Sequence, residues 1–114
     1  MYNSRLKPVV FVGRSVDSIR AFPPDAKREA GFQLNKIQCG SEPSDWRSMK
    51  NVGDGTREIR ICDSQGMYRV IYIAKFKEAV YVLHAFFKKS QKTSKPDMEI
   101  ARAAYKKVLE ARGK

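Results

Sequence analysis

The sequence predicts an α+β fold: an antiparallel β-meander with an N-terminal helical hairpin and a C-terminal helix. Three observations carry that reading. The chain of 114 residues is 42% hydrophobic and 31% charged, which supplies one globular core and leaves no length for a second. The apolar spacing is near 3.6 in the first third, 2 through the middle, and near 3.6 again at the end. The middle runs are joined by short connections, and a parallel crossover needs about a dozen residues, so they pair antiparallel. One domain over residues 1–114, in the order βααββββα, is the expected result.

Each element has its own local cause. Residues 8–12 form a short β-branched run closed by Gly13 and read as a buried strand. Ser15 suits the cap of a short helix with Val16, Ile19 and Phe22 on one face, which Pro23-Pro24 stops. Pro24 fits the first position of a second helix, with Asp25 in its first turn. Ala26, Ala30, Leu34 and Ile37 make its apolar stripe, and Gly40 ends it. Residues 47–52 are a weak strand, followed by a Gly53-Asp54-Gly55 turn. Residues 56–63 alternate, with Ile59 and Ile61 on one face and Glu58 and Arg60 on the other. After a turn at Ser64-Gln65-Gly66, residues 67–76 give the strongest strand signal, and Lys77-Glu78 connects them to a long apolar strand at 79–88. Pro96 opens the last helix, with acids early and Lys106, Lys107 and Arg112 late, as the helix dipole favours. Its expected packing stripe is Ile100, Ala104, Val108 and Ala111.

Charge narrows the function. Lysine and arginine total 23 against 12 acids, a net charge of +11. The imbalance is 12 bases to 8 acids over residues 1–74 and 11 to 4 over residues 75–114. Between Ala79 and Pro96 there is no acid, but Lys88, Lys89, Lys92 and Lys95 all fall there. Such a chain attracts a polyanion, whether nucleic acid, an acidic protein or an anionic surface; mere solubility is the bland alternative. No apolar run approaches the ~18 residues of a membrane span. No signal-peptide block follows Met1-Tyr2-Asn3-Ser4-Arg5, so a cytoplasmic location with no membrane association is expected. Cys39 and Cys62 are too few for a disulfide framework or a tetrahedral zinc site, and are expected to be thiols, at least one of them buried. No P-loop, dinucleotide glycine motif or nucleophile elbow occurs, so neither cofactor nor metal is expected.

The remaining chemistry is cationic. Arg69 shares a strand face with Ile71, Ile73 and Lys75, where a guanidinium is costly to bury without a partner. Glu58 and Arg60 on the preceding strand are candidates. Either a Glu58–arginine bridge is structural, or an arginine cluster presents planar donor forks to phosphate oxygens. His84, the only histidine, lies on the face of Phe86 and Lys88; a solitary strand histidine is more often packed than catalytic. Phe86 and Phe87 precede the lysine segment, with Gln91 inside it. Rings that stack on splayed bases beside lysines that neutralise the backbone make a workable RNA surface.

Four stretches, in this order, resemble the RelE/HigB-type toxins and their phage-derived branch. They are Asp45-Trp46-Arg47-Ser48-Met49-Lys50, then Thr56-Arg57-Glu58-Ile59-Arg60-Ile61, then Tyr68-Arg69-Val70-Ile71-Tyr72, then Leu83-His84-Ala85-Phe86-Phe87-Lys88-Lys89-Ser90-Gln91-Lys92-Thr93. The likeness runs from Lys7 to about Leu109. It implies a RelE-like, microbial-RNase-like fold and a toxin of a type II toxin–antitoxin pair. The implied activity is metal-independent cleavage of mRNA, usually on the ribosome, with a small antitoxin, often carrying a helix-turn-helix, as partner.

By the same resemblance Arg69 matches the strand arginine that contacts the scissile phosphate, and Arg60 a basic position on the strand before it. Lys88, Lys89 and Lys92 fall in a basic segment where relatives hold an acid or a phosphate ligand. The catalytic tyrosine or histidine that some relatives carry near the C-terminus has no counterpart; Tyr105, inside the last helix, is expected to pack. Cleavage by a 2′-hydroxyl needs a base, an acid for the leaving 5′-oxygen and stabilisation of the phosphorane charge. Arg69 and Arg60 are expected to hold the phosphate, and Lys88 or Lys92 to donate the proton. A lysine, His84 or Glu58 is left as base, with Lys89, Lys95, Phe86 and Gln91 binding RNA. The alternatives are a ParE-type toxin that poisons DNA gyrase without cutting RNA, and an inactive nucleic-acid-binding module.

Overall fold

A computed structural model describes residues 6–89 and 92–113. Its elements are β1 (Val9–Phe11), α1 (Ser15–Arg20), α2 (Pro24–Gln38), β2 (Trp46–Ser48), β3 (Thr56–Asp63), β4 (Gly66–Ile73), β5 (Val80–Lys88) and α3 (Lys95–Arg112). The predicted order is therefore the observed one. The strands form a five-stranded sheet ordered β1-β5-β4-β3-β2, in which β2 to β5 are the antiparallel meander. β1 lies parallel against β5, a pairing open to it because the whole helical hairpin and meander serve as its crossover. That edge position corrects the expectation of a buried strand: Val10 is 42% and Phe11 38% exposed.

Two apolar layers sandwich the sheet. On one face Ile19 and Phe22 of the α1 region and Ala26, Ala30, Leu34 and Ile37 of α2 pack on Ile59, Ile61, Tyr68, Val70, Tyr72, Val80, Val82 and Ala85. Pro24 opens α2, and Gly40, at a φ of 89°, turns the chain out of it. Ser15 does not cap α1. Arg14 holds that position without a side-chain bond, and the buried Ser15 Oγ donates to the Val82 carbonyl at 3.2 Å. It rivets the helix to β5 instead.

On the other face α3 lays Met98, Ala101, Ala104 and Val108 over Ile71, Ile73, Leu83 and Phe86, with Met49 and Val52 at the rim. Half of the predicted stripe changes place: Ile100 is 50% exposed and Ala111 is exposed. The small side chain of Ala101 lets the helix approach the sheet closely, so a ridge of small residues wins over the bulkier isoleucine. Ser94 caps this helix, accepting from the Asp97 N–H at 3.2 Å.

One irregularity aims the site. Ile71 pairs with His84, but Tyr72 pairs with Val82, so Leu83 is an extra residue in β5. A bulge of this kind reverses the alternation of every residue beyond it. Val80 and Val82 thus share the α1/α2 face with Ala85, while Leu83 and Phe86 face α3. Both cysteines are free and exposed, against the expectation that one would be buried. No helix among the described residues is long and apolar enough to cross a membrane.

Candidate functional site

The α3 layer covers only part of its sheet face. Beyond it, Arg47, Glu58, Arg60, Met67, Arg69, Lys88 and Lys89 line a cleft of about 590 Å³. Strand register assembles it: Arg47 lies opposite Glu58, Arg60 opposite Arg69, and Met67 opposite Lys88. Like charges directly opposed across two strands repel. An anion bound between them would relieve that repulsion.

Glu58 is fully buried at the centre and both its oxygens are engaged. Arg47 Nε donates to Oε1 at 3.1 Å, and Arg69 Nε stands 3.6 Å from the same oxygen. Thr93 Oγ1 donates to Oε2 at 3.0 Å. Arg69 also donates from Nη1 to the Tyr68 carbonyl at 3.0 Å, and Arg60 Nη1 lies 3.9 Å from Asp45 Oδ1. Lys88 is only 6% exposed. Its Nζ, like Arg69 Nε, is buried with no hydrogen-bond partner among the described residues. Buried donors are nearly always bonded, so two such atoms in one basic cleft mark a place prepared for an acceptor. Burial holds the Lys88 ammonium below the usual lysine range; Glu58 opposes that shift, while Arg69, Arg47 and Arg60 add to it. Burial also lowers Arg69, with Glu58 offsetting it, yet a guanidinium stays charged.

The cleft thus brings together Arg69, Arg60, Glu58, Lys88 and Lys89 from the sequence reading. Lys92 and Lys95 are exposed and do not line it. His84 lies outside it too, in a groove between α1 and α3. Its Nε2 is 2.7 Å from Asp97 Oδ1, and its ring stacks on Phe86 at 5.2 Å. Phe86 is buried in the α3 layer, which corrects its expected role as a stacking platform for a base. The exposed neighbour Phe87 packs with Tyr68 on the opposite face. Gln91 lies outside the described residues. Tyr105 packs as expected, its hydroxyl donating to the Asp54 carbonyl at 3.3 Å and its ring leaving no room for a Cβ at Gly53. Arg47 and Thr93 were missed as site residues. Both stood in the quoted motifs, but only strand register and the approach to α3 reveal that they meet Glu58.

A family model described as "Phage derived protein Gp49-like" matches residues 17–106, a span that contains every residue of the cleft. The chain belongs to the Gp49-like family. Among solved structures, this Gp49-like protein resembles the E. coli toxin RelE, in a double arginine-to-alanine mutant in the free state. The TM-score is 0.60 at 18% identity, covering 91% of this chain and 99% of that one. The fold is therefore RelE-like, as the four motifs implied. A comparison with curated proteins found no match.

Proposed function

We propose that this Gp49-like protein is the toxin of a toxin–antitoxin pair and an endoribonuclease that cuts mRNA held on the cytoplasmic ribosome. One observation carries the reading. Lys88 Nζ and Arg69 Nε are buried without hydrogen-bond partners among the described residues, in a cleft whose lining holds five cations and one carboxylate. A phosphodiester supplies the acceptor oxygens and the negative charge that such a cleft lacks.

The mechanism follows from those groups. The 2′-oxygen attacks the adjacent phosphorus, a 2′,3′-cyclic phosphate forms, and the bond to the 5′-oxygen breaks. Arg60 and Arg69 take the phosphorane oxygens, with charge stabilisation the largest contribution of such a site. Arg47 adds positive potential while it steadies Glu58. Lys88 gives its proton to the leaving 5′-oxygen; an ammonium whose pKa lies nearer to neutral is a better donor than an ordinary lysine. Glu58, buried and bonded at both oxygens, acts as the counter-ion that orients the arginines. The 2′-hydroxyl gives up its proton to water or to a group of the ribosome, whose grip on the message puts that hydroxyl in line. An antitoxin with an acidic segment would silence the toxin by occupying the same cleft.

Induction of the protein alone should halt translation and shorten messages, and purified protein with programmed ribosomes should leave ends bearing 5′-hydroxyls. Intact messages in arrested cells would overturn the nuclease reading. Loss of DNA supercoiling under those conditions would replace it with the gyrase alternative.

A further inference from the structure

Among the described residues Glu58 is the only carboxylate lining the cleft, and Lys88 is an ammonium that feels it electrostatically. Yet the two form no hydrogen bond, since Lys88 Nζ has no partner among the described residues. A buried lysine beside a buried glutamate would ordinarily pair with it. Glu58 is held instead by two other donors. Arg47 takes Oε1 at 3.1 Å, and from the opposite side of the carboxylate Thr93 takes Oε2 at 3.0 Å.

Thr93 is itself placed by its neighbours. The next residue, Ser94, caps α3 and donates to Asp97 Oδ2 at 2.7 Å. The other oxygen of Asp97 meets His84 Nε2 on β5 at 2.7 Å. The start of α3 is thereby pinned to the sheet, and it delivers the threonine hydroxyl to Glu58. This gives His84 and Asp97 a use without placing either in the cleft.

We propose that Thr93 is a positioning residue, whose hydroxyl keeps the Glu58 carboxylate turned toward Arg47 and Arg69 so that Lys88 stays unpaired and able to bond the substrate. The inference rests on the role given to Lys88 in the proposed cleavage. Without the Thr93 bond, Glu58 Oε2 needs a new donor, and Lys88 is a buried ammonium of the cleft with no partner among the described residues. The groups facing Lys88 are Glu58 and Arg60 of β3, Arg69 of β4 and Arg47 of β2. Because Glu58 is the only anion among them, its rotation alone can raise the Lys88 pKa. A proton donor works in its charged form, so the rate falls as pH climbs through that pKa, and a raised pKa moves the fall to higher pH.

The experiment compares wild type, Thr93→Val and Thr93→Ser in single-turnover cleavage of ribosome-bound message across pH. Lys88 is titrated in each protein by NMR of its ¹³Cε. Thr93→Val keeps the shape and removes the hydroxyl; it should slow the saturated rate about 10-fold and leave the half-saturating ribosome concentration unchanged. Its alkaline limb and its Lys88 midpoint should both rise by about one pH unit, and Thr93→Ser should restore wild-type behaviour. An unmoved Lys88 midpoint in folded Thr93→Val overturns the inference, as does a loss confined to half-saturation. If wild type cuts nothing, the proposed function fails, and the Lys88 titration alone still decides the role of Thr93.

Discussion

Lys88 and Lys89 are adjacent in the chain, yet Lys88 is the last residue of β5 and Lys89 lies just beyond it, and their fates differ. Lys88 points into the sheet face and is buried, while Lys89 stays exposed at the cleft mouth. The division of labour follows from that difference. Lys88→Ala should stay slow when ribosomes saturate, by about 10²–10⁴-fold, because a lost proton donor cannot be replaced by occupancy. Lys89→Ala should weaken association and recover fully at saturation. Single-turnover rates at rising ribosome concentration separate the two, and full recovery by Lys88→Ala would remove it from the chemistry. Arg69 reads differently in the fold than in the sequence. The sequence left open whether its partner on the strand before was structural or whether it served only to present donors to phosphate. Buried against Glu58, it is part of the packing as well as of the site, so its loss would leave a buried carboxylate short of a compensating charge.

Among the elements, those whose causes are local were the most legible. The stripe, opening proline and closing glycine of α2 are all sequence-adjacent signals, and the helix runs where they predict. The packing ridge of α3 was less so, because Ile100 and Ala101 compete for the sheet and only the fit against Leu83 and Phe86 chooses between them. The far end of α3 is fastened by Arg112, whose Nε donates to Glu78 Oε2 at 2.6 Å while its guanidinium lies 3.6 Å above the Phe76 ring. The Arg112 hydrogen bond holds the Glu78 carboxyl down to about 2, from an ordinary 4.5. A carboxyl depressed in the folded state stabilises it above the ordinary value, and that contribution disappears as pH falls through the depressed one. Thermal unfolding of wild type should therefore weaken more steeply between about pH 4.5 and 2 than that of Glu78→Gln. The effect should be modest, since the pair is solvent-screened. Equal slopes for the two proteins would show that the bond does not fasten α3.

For the whole molecule, the net charge of +11 acts before any contact forms. Binding of a single-stranded RNA should fall with salt, with log affinity declining by about 0.7 per phosphate neutralised for each decade of salt. Contact with roughly three or four phosphates across this basic surface would give a slope near −2 to −3 in titrations at several salt concentrations. Salt-insensitive binding would contradict an electrostatic cleft. Element types, their order and the pull toward a polyanion were all determined by the sequence alone, because period, caps and charge are carried by residues near one another in the chain. The parallel seat of β1, the bulge at Leu83 and the grip of Arg47 and Thr93 on Glu58 were decided only in the folded state. Each joins residues that the chain itself keeps far apart. Which cations converge on one carboxylate depends on strand register, and register is settled by the packing of both sheet faces at once.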